Sequence, residues 1–199
     1  MPIVRLPNGE LRDEIRMPVF DTIKIAAAES PVGIRRFFSA VQGKTLAQTN
    51  LRQNNMLETA VSYRVQGMGL DVQNYYAANK QALPIIMENS SMVVKIGEKD
   101  YWSGPFTFLS GRLKAAFSAA TTASATTIND CYQRFGDVAV QSVILQGKHV
   151  VDINPLQSFV GIWTCDSLSA TELALSTPAA NTQLNFLFSF KGLMRRPVQ

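Results

Sequence analysis

Between residues 184 and 190 the side chains alternate strictly, with Leu184, Phe186, Phe188 and Phe190 on one side and Asn185, Leu187 and Ser189 on the other. A period of two belongs to a β-strand, and a strand that carries four large apolar residues on one face needs a core to bury them. That segment is expected to lie inside a sheet. Other stretches read the same way. Val61, Tyr63 and Val65 alternate with Ser62, Arg64 and Gln66, and Gly67 and Gly69 then permit a bend or bulge. Residues 91–96 end at Gly97 and lead to Tyr101 and Trp102, and 105–109 reads as an edge strand after Pro105. Residues 138–146 and 159–165 are β-branched and aromatic, bounded by Gly136, Gly147 and Asn154-Pro155. Five or six strands without βαβ alternation or an internal repeat point to an all-β fold, an antiparallel β-sandwich of the jelly-roll kind, over a doubly wound one.

Three segments read differently. Residues 1–29 are rich in charge and interrupted by Pro2, Pro7 and Pro18, which suits an extended N-terminal arm, leaving 30–199 as one domain. From Ser30 to Gly43 the signals of a short helix coincide: a capping serine, Pro31 in the first turn, Ile34, Phe37, Phe38 and Val41 at helical spacing, and a glycine stop. A second short helix is expected over 74–83, ending near Pro84. Residues 115–128, rich in Ala, Ser and Thr, fit a weak helix or a surface loop.

A chain of 199 residues can close one sizeable core. Its charged fraction of 17% is low against the ~25% usual for soluble domains, which implies surfaces that neighbours cover. The net charge of +4 is too small for a dedicated nucleic-acid binder. Arginines nevertheless gather early, with Arg12, Arg16, Arg35 and Arg36 in segments that precede the main strands. No stretch approaches the roughly 20 apolar residues that a membrane-spanning helix needs.

Chemistry is sparse. The single histidine, His149, with Asp152 and Cys165 makes the only conceivable nucleophile set, but Cys165 falls in an apolar strand without any nucleophile signature. Cys131 and Cys165 read as reduced, packed thiols, too few for a disulfide framework or a four-ligand zinc site. Gly43-Lys44-Thr45 lacks the upstream glycine of a phosphate loop and ends a helix where such a loop begins one. No catalytic residue, metal or cofactor is expected. Tyr75, Tyr76, Tyr101 and Trp102 could stack bases or sugar rings, yet no basic residues interleave with them, and contact between subunits suits them better.

Three patterns carry a family resemblance. They are Arg36-Phe37-Phe38-Ser39-Ala40-Val41-Gln42-Gly43-Lys44-Thr45 followed by Thr49-Asn50-Leu51, then Ile153-Asn154-Pro155-Leu156-Gln157-Ser158-Phe159, and the closing Lys191-Gly192-Leu193-Met194-Arg195-Arg196-Pro197-Val198-Gln199. In order and spacing they resemble the jelly-roll major capsid proteins of tailless, icosahedral, often membrane-containing bacteriophages. The resemblance implies one roll in this chain where many relatives carry two. It further implies a non-enzymatic structural subunit that assembles through sandwich edges and terminal arms into capsomers, is made in the host cytoplasm and resides in the virion. The expected partners are further copies of the chain and other capsid proteins, with inner-membrane lipid or packaged genome meeting Arg12, Arg16, Arg35 and Arg36. No small-molecule substrate is expected. The competing reading is a monomeric β-sandwich module that binds carbohydrate or protein through Tyr75, Tyr76 or Trp102; a cupin-like enzyme is remote with one histidine.

Overall fold

A computed structural model describes residues 3–5, 9–73, 82–109, 143–144, 150–178, 180 and 182–198. The expectations for Tyr75, Tyr76, Cys131, His149 and 115–128 lie outside them. The strands are β1 (Ile3–Arg5), β2 (Leu11–Arg16), β3 (Val19–Ile25), β4 (Gly33–Phe37), β5 (Ser62–Gln73), β6 (Ser90–Ile96), β7 (Lys99–Pro105), β8 (Val143–Ile144), β9 (Val151–Ile153), β10 (Phe159–Cys165) and β11 (Leu184–Pro197). Among the described residues three short helices join them, α1 (Ala82–Glu88), α2 (Phe106–Leu109) and α3 (Ala170–Ser176). The fold is mostly β, with all pairings antiparallel.

The larger sheet is built around β11. Its first half pairs with β3 and its second half with β2, which β1 extends, while its other flank pairs with β5; β8 and β9 follow one another along the far side of β5. The smaller sheet runs β4-β10-β6-β7. The two meet through aromatic rings. Trp163 lies 4.8 Å from Phe186, Phe37 lies 5.5 Å from Phe188, and Phe159 lies 5.7 Å from Phe190, centroid to centroid. Leu184, Phe186, Phe188 and Phe190 are all fully buried, as their alternation predicts. The polar groups among them find partners: Trp163 Nε1 donates to Ser90 Oγ at 2.8 Å, and the Tyr63 hydroxyl sits 2.8 Å from Met17 O and 3.0 Å from Phe190 O. Burial pushes the Tyr63 phenol well above its ordinary value.

The bend foreseen at Gly67 is a bulge. Lys191 pairs with Gly67 and Gly192 with Val65, so Gln66 is the extra residue on β5. There the strands come so close that a Cβ on Gly192 would sit 1.9 Å from Arg64 O. Gly192→Ala is accordingly expected to cost about 1 to 3 kcal/mol through forced separation of the backbones, measured by chemical unfolding; an unchanged midpoint would mean that the bulge relaxes freely.

The segment read as a helix over 30–43 is instead strand β4 followed by a turn. Ile34, Phe37, Phe38 and Val41 have helical spacing for a different reason: Phe37 ends the strand facing inward, and Phe38 then adopts a left-handed backbone (φ 68°) that turns its ring inward too. Asp21 holds this turn by accepting from Phe38 N at 2.6 Å. Within the segment read as an N-terminal arm, 11–16 and 19–25 are strands built into the larger sheet. Along β3 the inward positions are Val19, Asp21, Ile23 and Ile25, a period-two pattern that needs a partner sheet. Residues 106–109 form helix α2 where an edge strand was expected, and the edge strand lies just before, at 99–105. Helix α1 begins where a helix was expected to stop; Pro84 sits in its first turn, where a missing N–H costs nothing. Helix α3 carries a full capping box, Ser169 accepting from Glu172 N and Glu172 Oε2 accepting from Ser169 N at 2.9 Å.

Candidate functional site

Alternation places the four early arginines on two different sheets. Arg12 and Arg16 lie on β2, opposite Pro197 and Leu193 of β11. Arg35 and Arg36 lie on β4, opposite Trp163 and Ile162 of β10. Since Trp163 packs on Phe186, the distance along β11 is roughly 23 Å to Leu193 opposite Arg16 and roughly 36 Å to Pro197 opposite Arg12, at about 3.3 Å per residue. The four arginines, neighbours in sequence, therefore lie on two separate surfaces. Nearness in sequence misled because β2 and β4 attach to opposite ends of the sandwich.

Two of the four already have ion-pair partners within the chain. Arg12 pairs with Glu10 at 2.8 Å and donates to Ala60 O. Arg35 pairs with Glu29 at 2.9 Å, donates to Ser30 O at 2.7 Å and to Pro31 O, and lies 5.4 Å from the centre of the Trp163 ring. Burial alone would raise Glu29, but the hydrogen bonds from Ala26 N and Arg35 outweigh it and leave the carboxyl below its ordinary value. Arg36 is exposed and Arg16 is at the rim of the larger sheet. Beside Arg16 on that outward face, Arg64 holds Asp152 in a bidentate pair at 2.9 and 3.1 Å, a bond that raises the guanidinium above its usual value.

The nucleophile set is not assembled among the described residues. Asp152 sits on the outward face of β9 in its pair with Arg64, whereas Cys165 ends β10 on the inner face of the other sheet, 2% exposed. Burial pushes the Cys165 thiol up, away from thiolate, and the sulfur is free. Of the two described aromatics, Tyr101 is exposed on edge strand β7 beside a register shift, and Trp102 packs against the core.

The feature that sequence reasoning missed is the pair between Asp21 and Lys44. The carboxylate is fully buried and receives Lys44 Nζ at 2.7 Å; the same ammonium donates to Thr22 O at 2.8 Å. Gly43 (φ 80°) turns the chain so that Lys44 points inward. The Gly-Lys-Thr triplet is thus a structural clasp over β3. Its signal in the sequence was Asp21 itself, a carboxylate on the inward side of an otherwise apolar alternation, which requires a buried cation. This clasp belongs to the first of the three patterns, and Phe38 beside it packs against Phe159 of the second at 5.1 Å. No protein-family model, curated protein or solved structure matches the chain.

Proposed function

We propose that the chain is a single jelly-roll subunit of an icosahedral viral capsid. The observation that carries this reading is the strand order. β3, β11 and β5, with β8 and β9, form one sheet, and β4, β10, β6 and β7 form the other. From β3 onward the chain changes sheet between β3 and β4, β4 and β5, β5 and β6, β7 and β8, β9 and β10, and β10 and β11. That interleaving is what two Greek keys would produce, which supports a jelly roll, and capsid domains are one large class of jelly rolls.

Two further features support the same reading. The low charged fraction suits a subunit whose surface is largely covered by neighbours. The paired strands β1 and β2 at the edge of the larger sheet expose Ile3 and Leu11, apolar residues that a neighbouring molecule would cover. Arg16 and Arg36 remain the exposed members of the expected phosphate-facing set, acting on separate surfaces.

Negative-stain microscopy of the purified chain, alone and with anionic liposomes, tests the proposal. Rings, sheets or shells are the expected result. A protein that stays dispersed in both conditions and binds a polysaccharide saturably would replace the capsid reading with that of a monomeric binding module.

A further inference from the structure

The outward face of the smaller sheet carries five apolar side chains, with Thr164, Ser91, Ser103 and Lys95 between them. Period two sends Val160 and Ile162 of β10 outward, and the pairing register puts Ile34 of β4, Val93 of β6 and Pro105 of β7 on the same face. Ile34 is 67% exposed, Pro105 is exposed, and the other three are partly exposed between their neighbours. At one edge of this face stands Arg36, exposed and without a carboxylate partner among the described residues. At the opposite edge stands Asp100, its side chain 54% exposed although it touches Lys95 at 3.1 Å.

We infer that this face binds the same face of a second copy, about a two-fold axis that runs parallel to the strands. An isologous contact must be self-complementary, so each half must supply what the other half needs. An axis along the strands exchanges the two edges of the sheet. It lays β10 over β6 of the second copy and β4 over β7 of the second copy. Ile162 then meets the second copy's Val93, Ile34 meets the second copy's Pro105, and Arg36 comes within side-chain reach of the second copy's Asp100, one row along.

The charges select this axis over its alternative. A two-fold axis across the strands through the Ile162 row would set β4 on β4 and bring Arg36 against Arg36, a like-charge contact that a desolvated interface strongly disfavours. The parallel axis makes two opposite-charge pairs around Ile162 and Val93, and it sets Val160 over the stem of the second copy's Lys95, whose ammonium is held to the same Asp100 at 3.1 Å. It is also compatible with the ordinary aligned packing of two twisted sheets about 10 Å apart.

The inference stands apart from the shell-forming reading, and sedimentation velocity on the full chain at micromolar concentrations tests it. The unaltered protein is expected to show a reversible dimer. Ile162→Glu should leave monomer with an unchanged melting temperature. Arg36→Glu and Asp100→Lys should each raise the dimer dissociation constant by about tenfold or more, and the two together should bring it back to within about threefold of the original. Loss of the internal Lys95 contact is common to Asp100→Lys and the double variant and absent from Arg36→Glu, so only a contact between copies produces the rescue. The charge pair also serves if Ile162→Glu fails to fold. A protein that is monomeric throughout, a dimer indifferent to the two single charge reversals, or a double variant no better than either single would overturn the inference, as would a monomer that uses this face to bind liposomes. Shells that form equally well from all the variants would overturn it too and leave the capsid reading in place.

Discussion

Truncating Phe188 to alanine is expected to lower the unfolding free energy by about 3 to 5 kcal/mol, the usual cost of deleting a fully buried aromatic ring. The ring lies between both sheets, 5.5 Å from Phe37, 5.7 Å from Phe38 and 5.3 Å from Phe190. Its removal opens a space that three other aromatic rings border, and rings collapse poorly into a void because each has few rotamers. Guanidinium unfolding followed by tryptophan fluorescence is a direct measure, since Trp163 is in the same cluster. Phe188→Leu, which fills most of the volume, should cost less. A loss below about 1 kcal/mol for the alanine variant would place Phe188 outside the core.

Lys44→Met is expected to be comparably damaging, at about 3 to 5 kcal/mol, because it leaves the Asp21 carboxylate buried without its cation. The reverse substitution, Asp21→Ala, should cost less. The lysine side chain is 22% exposed and its ammonium can turn to water, whereas the carboxylate at 0% cannot. Asp21→Ala nevertheless removes the acceptor for Phe38 N and so loosens the left-handed turn after β4. The double variant Asp21→Leu with Lys44→Met should recover much of the loss, since a buried ion pair replaced by apolar groups of similar volume is often neutral. Urea unfolding of these variants, with Asp21→Leu alone added to close the double-mutant cycle, checks the ordering. Equal small losses from both single changes would show that the clasp contributes little.

How far the fold was legible depended on whether a residue's local pattern had one physical cause. Phe186, Phe188 and Phe190 alternate because a strand alternates, and their burial followed directly. The segment 159–165 was bounded correctly because turn residues flank it on the N-terminal side and its composition is β-branched and aromatic. Phe37 and Phe38 had two possible causes. Adjacent inward-facing residues at the end of an apolar run belong equally to a helix and to a strand that ends in a left-handed turn, and only the partner strand β10 and the Asp21 acceptor decide between them. Ser169 and Glu172 did spell a capping box, a readable signal that marks α3.

The candidate site was less legible than the core. Arg12 and Arg35 are separated in space because β2 joins the far end of the 14-residue β11 whereas β4 joins β10 in the other sheet, and pairing of that range leaves no mark in either segment. The outward face of β4, β10, β6 and β7 was likewise hidden, because Ile34, Ile162 and Val93 become neighbours only through the register of strands far apart in sequence. Alternation says which residues point outward; it does not say what they meet.

The position of β11 has a consequence for the order in which the molecule comes into being. Strand β3 ends at Ile25, and its pairing partner begins at Leu184, 159 residues later. At roughly 5 to 20 residues per second, synthesis leaves β3 waiting on the order of 10 to 30 s for that strand. Strands β2 and β5 wait for it as well, since neither reaches the other except through β11. During this interval the smaller sheet can already pair β4 with β10 and β6 with β7, but it has no opposite layer to cover Phe37, Met92 and Trp163. The nascent chain therefore passes through a sticky, half-built stage that ends abruptly when the last strand slots between its neighbours, and a holdase chaperone would find its binding surface in that stage alone.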